Sequence, residues 1–208
     1  MRNAIRHLNG VDPAMQALIR RVGRCGYVQE KREPYEALVR AITHQQLHGS
    51  AARTILGRFM ALYPSVPFPT PEQVLSTSDE AMRRCGLSGS KTAAIRDIAL
   101  KTLDGVVPNR RAAARQSDAE LIARLTVIRG VGRWTVEMLL MFNLGRFDIL
   151  PVDDFGVREG YRRLHGLDAQ PKPRELAAIG EMWSPWRSVA SWYLWRAAEE
   201  GRPVKPAA

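Results

Sequence analysis

The strongest constraint on the fold is a recurrence of apolar residues at spacings of three and four, punctuated by helix caps, along nearly the whole 208-residue chain. In PYEALVRAITHQQ, Tyr35, Leu38, Val39 and Ile42 share one helical face, and Ala52, Ile55, Leu56 and Phe59 do so after a break at His48-Gly49. TPEQV at 70–74 starts a helix, with Thr70 as cap, Pro71 in the first turn and Gln73 closing a capping box. Ser117 and Glu120 repeat that signature, while SDEAMRRCGL and SKTAAIRDIALKTLDG end at Gly86 and Gly105. SPWRSVASWYLWRAAEE at 184–200 reads as a last helix capped by Ser184, with Pro185 next to it. β-Branched alternation is missing almost everywhere, VPFPTP at 66–71 reads as a linker, and the chain ends read as frayed. An all-α fold of about nine or ten short helices is expected.

Charge narrows the partner. Lys+Arg 31 against Asp+Glu 21 gives a formal net charge of +10, which favours a polyanion, nucleic acid before an anionic membrane. Arginine supplies 26 of the 31 cations, a bias that a GC-rich coding sequence would also produce. Cys25 and Cys85 are too few for a four-thiolate zinc site or iron–sulfur cluster, and the four histidines, at 7, 44, 48 and 165, show no metal-ligand spacing. Two ordinary buried thiols in a reducing compartment are expected. No apolar run reaches the length of a membrane span and MRNAIRHLNG lacks a signal-peptide core, so the expectation is a soluble, cytoplasmic protein, monomeric by default.

Three segments depart from plain helix packing. In LTVIRGVGRWTVE, Gly130 and Gly132 bracket Val131 between two helical stretches, where a tight turn needs positive φ. Amides of this hairpin, at the start of the helix near Arg133, suit a phosphate oxygen, although a plain corner packed by Ile128 and Val131 would look the same. In FDILPVDDFGVRE, Asp153 or Asp154 can cap the following helix, and the second carboxylate exceeds what a cap requires. In THQQLHGSAA, Gln45, Gln46 and His48 interrupt a helical face around Leu47, as a solvated turn or as groups that probe a groove or a gap in a base stack.

In this order the segments resemble the helix-hairpin-helix DNA glycosylases with a catalytic aspartate, and within them the 3-methyladenine DNA glycosylase II branch. GVGRWT matches the branch's hairpin, AITHQQLHGSAA its intercalating segment and WSPWRSVASWYLW its C-terminal helix. Asp154 stands 20 residues after Trp134, where the branch has its catalytic aspartate. The resemblance implies two helical subdomains around a cleft. Residues 38–147 would hold the hairpin, and 1–37 with 148–208 would form the second subdomain, with Asp154 at the seam.

It further implies a monofunctional enzyme of base excision repair that flips alkylated purines out of duplex DNA and hydrolyses their glycosidic bonds. Asp154 would be the catalytic carboxylate and Asp153 a helix cap or outer support. Trp134, Trp195 and Met138 would line the base pocket, Met138 standing where a relative carries an aromatic residue. Gln46 or Leu47 would be the wedge, with His48 in the minor groove. Gly130, Gly132 and Arg133 would hold a phosphate, with Na⁺ or K⁺ on carbonyls of the Ile128–Gly132 hairpin and no catalytic metal or other cofactor. Bifunctional relatives carry a Schiff-base lysine two residues after the second hairpin glycine; Trp134 occupies that place, which argues against lyase chemistry. Trp183, Trp186 and Trp192 read as core. Two alternatives are a glycosylase of the same fold for another damaged or mismatched base, and a non-catalytic damage-binding module. A membrane-surface protein lacks the amphipathic basic anchor it would need.

Overall fold

The computed structural model describes residues 1–47 and 49–200, and among them it is helical, with no strand. In chain order the helices are α1 (Arg2–Val11), α2 (Pro13–Val22), α3 (Pro34–His44), α4 (Gly49–Ala61), α5 (Pro71–Ser76), α6 (Asp79–Arg84) and α7 (Gly89–Leu103). They continue as α8 (Arg110–Ala113), α9 (Asp118–Leu125), α10 (Arg133–Met138), α11 (Phe155–Leu164), α12 (Pro173–Ile179) and α13 (Arg187–Glu199). A π-helical turn, Leu139–Leu144, prolongs α10, and a 3₁₀ turn, Gly180–Trp183, follows α12. The count exceeds the expected nine or ten because α1 and α2 form where a frayed end was expected, and because α8 and α12, of four and seven residues, are too short to show an apolar period.

The chain divides into two compact units, Met1–Gln29 with Gly145–Ala208, and Glu30–Leu144. The expected division at 37/38 and 147/148 is displaced, most at its first boundary. There the Glu30 N–H donates to the Phe142 carbonyl at 2.7 Å, and the Asn143 amide donates to the carbonyls of Glu30 and Arg32 at 3.2 and 2.9 Å. These contacts, one from a backbone N–H and two from the Asn143 side-chain amide, tie an aperiodic segment to residues more than a hundred positions on, and hydrophobic patterning does not encode them.

The unit built from both ends has a core of Leu8, Met15, Leu18, Val157, Trp183, Val189, Tyr193 and Leu194. Each fully buried side chain of this size contributes about 1.5–3 kcal/mol. The expected fraying of the N-terminus is corrected here: α1 and α2 bury Ala4, Leu8, Met15, Leu18 and Ile19. The last helix also starts later than expected. Trp186 precedes α13, while the Ser184 hydroxyl donates to Asp148 Oδ2 at 2.9 Å instead of capping.

In the other unit α7 is the organising helix, packed against α3, α5 and α6 and burying Ala94, Ile95, Ile98 and Ala99. The capping boxes at Thr70–Gln73 and Ser117–Glu120 form as expected. Each satisfies amides that the first helical turn would otherwise leave unpaired.

Candidate active site

Asp154 ends the turn Pro151-Val152-Asp153, its N–H donating to the Pro151 carbonyl at 3.0 Å. It is the residue that caps α11: its Oδ1 accepts the Val157 N–H at 2.8 Å. The same oxygen accepts Trp195 Nε1–H, also at 2.8 Å. Asp153 is exposed and does not cap, so of the two carboxylates that could cap it is Asp154 that does, and of the two roles offered for Asp153 that of helix cap falls away. The reason is the turn itself, which brings Asp154 to the N-cap position with extended backbone, φ −69° and ψ 122°.

Two glycines one helical turn apart bring Trp195 within reach. A Cβ on Gly160 would stand 1.9 Å from the Leu194 carbonyl oxygen, so α11 and α13 meet there backbone to backbone. A Cβ on Gly156 would stand 2.7 Å from Trp195 Cδ1 and 3.1 Å from Asp154 Oδ1. The segment leading to the turn is fixed as well. Ser188 Oγ donates to the Arg146 carbonyl at 2.8 Å and accepts the Ile149 N–H at 3.0 Å. Asp148 forms a two-pronged pair with Arg187 at 2.8 and 2.9 Å. Burial pushes the Asp148 carboxyl up, but the hydrogen bonds of Arg187 and Ser184 outweigh it and hold the group ionised, below its ordinary value.

The hairpin belongs to the other unit. Gly130 has φ +77°, and a Cβ there would come within 3.0 Å of the Ala94 Cβ on α7, so both conformation and space call for glycine. Ile128 and Val131 are 2% and 3% exposed, which explains an apolar loop tip: the two side chains pack inward. Gly132 precedes α10 with no side chain capping the amides behind it. Arg133 pairs with the buried Glu137 at 2.9 Å and keeps its own side chain largely exposed.

Trp134 is 44% exposed. With Met138, Thr135, Ala41, His44, Gln45 and Gln46 it lines a cavity of about 380 Å³. Thus Trp134, Met138 and Gln46, three of the residues singled out from sequence, share one surface, whereas Trp195 is joined to Asp154. Gln46 and Leu47 are exposed on the turn after α3, and Gln46 holds φ +56°, the one positive φ at a non-glycine among the described residues. His48 lies outside the described residues.

Sequence reading missed the groups that hold this turn. The Gln45 amide donates to the Gly130 carbonyl at 3.1 Å and approaches Thr135 Oγ1 at 3.5 Å. Lys91 of α7 donates to the carbonyls of Thr43 and Gln45, both at 2.8 Å, and burial lowers its pKa. Asp97, also on α7, accepts the Arg129 N–H at 2.7 Å. One signal was present: only five cations of the chain are lysine. A rotatable ammonium suits two converging carbonyls better than a planar guanidinium.

Of the tryptophans expected in the core, Trp183 is fully buried and donates to Asp12, while Trp186 and Trp192 are partly buried against the same core. Cys85 is buried as expected; Cys25 is only partly so. Among the described residues no cluster of His, Cys, Asp and Glu could hold a metal ion, and no helix is long and apolar enough to cross a membrane.

Comparison with known proteins gives this arrangement a family. Residues 39–185 match the model of the HhH-GPD superfamily of base excision DNA repair proteins. The chain is 44% identical over 205 residues to DNA-3-methyladenine glycosylase 1 of Schizosaccharomyces pombe, covering 96% of this chain and 90% of the relative. The structure of a 3-methyladenine DNA glycosylase from that yeast, in complex with abasic DNA, superposes with a TM-score of 0.85 at 44% identity, over 93% of this chain and 95% of that one. The crystal structure of a DNA-3-methyladenine glycosidase from Bacillus halodurans gives 0.84 at 33% identity, over 95% and 89%. The chain is a member of the helix-hairpin-helix superfamily of base excision DNA repair proteins.

Proposed function

We propose that the chain is a monofunctional DNA glycosylase that binds duplex DNA, flips out alkylated purines of the 3-methyladenine and 7-methylguanine type, and excises them by hydrolysis. The observation that carries this reading is the Asp154 carboxylate, oriented by Val157 N–H and Trp195 Nε1–H on one oxygen, in a chain 44% identical to a 3-methyladenine DNA glycosylase.

A purine alkylated at N3 or N7 is cationic and already a good leaving group. The developing charge sits on the sugar, and one ionised carboxylate beside C1′ stabilises it or orients water. Asp154 takes that role. The Trp134 face attracts a cationic base, worth about 1–2 kcal/mol when desolvated, and Met138 completes that wall. Trp195 serves the carboxylate through its N–H in addition to offering an aromatic surface. Gln46 or Leu47 enters the gap left in the stack, with His48 beside them in the minor groove.

No lysine stands at position 134, and the Lys91 ammonium already donates to two carbonyls, which supports a reaction without a Schiff-base nucleophile. Amides at Gly130, Gly132 and Arg133 bind a phosphate. The Ile128 carbonyl accepts the Val131 N–H and the Gly130 carbonyl accepts the Gln45 amide. Each keeps a second lone pair, an all-oxygen set that fits Na⁺ or K⁺. Such a cation would add positive charge for the phosphate.

Incubating duplex DNA that contains N3-methyladenine or N7-methylguanine with wild type and with Asp154→Asn tests the reading through free base released. Release by wild type and its loss in the variant are expected. No release by wild type, with lesion binding retained, leaves a damage-binding module. Equal release by the variant removes Asp154 from the reaction, and strand cleavage without added base overturns the monofunctional assignment.

A further inference from the structure

The turn that carries Gln46 and Leu47 and the hairpin that carries Gly130 are far apart in sequence, yet both are held from α7. Lys91 binds two carbonyls where α3 passes into the turn, those of Thr43 and Gln45. One step on, the Ala94 Cβ lies 3.0 Å from the Cβ position of Gly130. Another step on, Asp97 accepts the N–H of Arg129. Gln45 closes the circuit, its backbone carbonyl on Lys91 and its side-chain amide on the Gly130 carbonyl. Just beyond Lys91's grip, Gln46 takes a left-handed conformation that L-residues rarely adopt, with φ +56°. Such backbone persists only where its surroundings over-determine it.

We propose that Lys91 is a positioning residue for base flipping. Acting through Gln45, it sets the register between the wedge turn and the phosphate-binding hairpin. This rests on reading Gln46–Leu47 as the segment that enters the stack. A wedge that is misplaced relative to the gripped phosphate cannot fill the gap, whereas binding to intact duplex, which rests on charge, does not need that register.

The test uses the full chain and two duplexes of one sequence, one intact and one with a tetrahydrofuran abasic site beside 2-aminopurine. Fluorescence reports insertion into the stack, and titration gives both affinities. Single-turnover release of N7-methylguanine is measured in parallel. Lys91→Met is expected to bind intact duplex as wild type does, to lose the fluorescence rise, and to lower damaged-site affinity and single-turnover rate by about 10-fold or more. Lys91→Arg, which keeps donors for both carbonyls in a less well fitted geometry, is expected to recover part of the loss. Gln45→Leu, which leaves Lys91 and its carbonyls in place, is expected to show the same selective loss, and it decides the matter if Lys91→Met does not fold.

Wild-type discrimination by Lys91→Met or by Gln45→Leu overturns the proposal. So does a loss that is equal for intact and damaged duplex in both variants, because that is general destabilisation. A wild-type chain that neither releases base nor distinguishes the abasic site overturns the proposed function and this inference with it. Normal wild-type activity with unaffected variants overturns this inference alone.

Discussion

Asp12 and Asp154 lie in the same unit and use the same partners, a backbone amide three residues on and a tryptophan N–H, yet they are built differently. Asp12 caps α2 at 5% exposure and divides the donors: Oδ1 takes the Met15 N–H at 3.0 Å and Oδ2 takes Trp183 Nε1–H at 2.9 Å. Asp154 caps α11 at a partly exposed position, and Val157 and Trp195 converge on Oδ1. Trp183 is wholly buried, while Trp195 lies at the margin of the core. In the first case the device closes a junction: a buried carboxylate and a buried indole each satisfy a group that would otherwise be costly to bury. In the second, two donors on one oxygen fix the orientation of a carboxylate that is left partly exposed to solvent. One local motif thus closes a buried junction or holds an oriented carboxylate at the surface, according to burial and to how its donors are shared.

The largest expected difference is in Asp154→Asn. The asparagine oxygen still caps, so the thermal midpoint should hold within about 2 °C while base release falls about 10³-fold. A melting loss as large as that of an Asp12 variant would break the contrast. Asp12→Ala is the mirror experiment. It removes a cap and strands the Trp183 N–H, so urea denaturation should show a loss of about 3 kcal/mol with base release per folded molecule unchanged.

The two glycines of α11 divide the same way. Gly160→Ala drives a methyl into the Leu194 carbonyl, and a loss of about 3 kcal/mol or more is expected in the same denaturation series. Gly156→Ala meets side chains alone, the Trp195 ring and Asp154 Oδ1, so about 1–2 kcal/mol is expected, with base release lowered about 10-fold as the indole leaves Asp154.

The smallest effect concerns pH. Hydrogen bonds from Arg162, Arg163 and Gln170 hold the Glu159 carboxyl far below its ordinary value. Its folded pKa is depressed, so its contribution is fully present above the unfolded glutamate value and is lost as pH falls. The stability gap between wild type and Glu159→Gln should therefore be constant above about pH 5 and shrink below about pH 4, read from urea midpoints across pH. A gap that is flat down to pH 2 would remove Glu159 from the acid response.

Legibility followed the range of the interactions. The caps at Thr70, Ser117 and Asp154 involve groups three residues apart, so composition and order suffice to place them, although the choice of Asp154 over Asp153 needed the turn. Trp134 and Met138 were legible as one helical face, four residues apart on α10. The brace was not: Lys91 reaches back 46 and 48 residues and Gln45 forward 85. No pattern within a window joins them, and Gln45 alone looked like a solvated interruption.

By itself, then, the sequence determined an all-α chain, its principal caps, a glycine hairpin with an inward-facing apolar tip, and a carboxylate at the start of a helix. These follow from backbone hydrogen bonding and side-chain periodicity, which act over a few residues. Only the tertiary structure decided that Trp195, 41 residues on, donates to that carboxylate, and that α7 holds the Gln46–Leu47 turn and the hairpin together. The physical reason is close approach. Gly156 and Gly160 admit the neighbouring helix, and the short side chain of Ala94 admits Gly130, so these contacts exist only once the helices have packed.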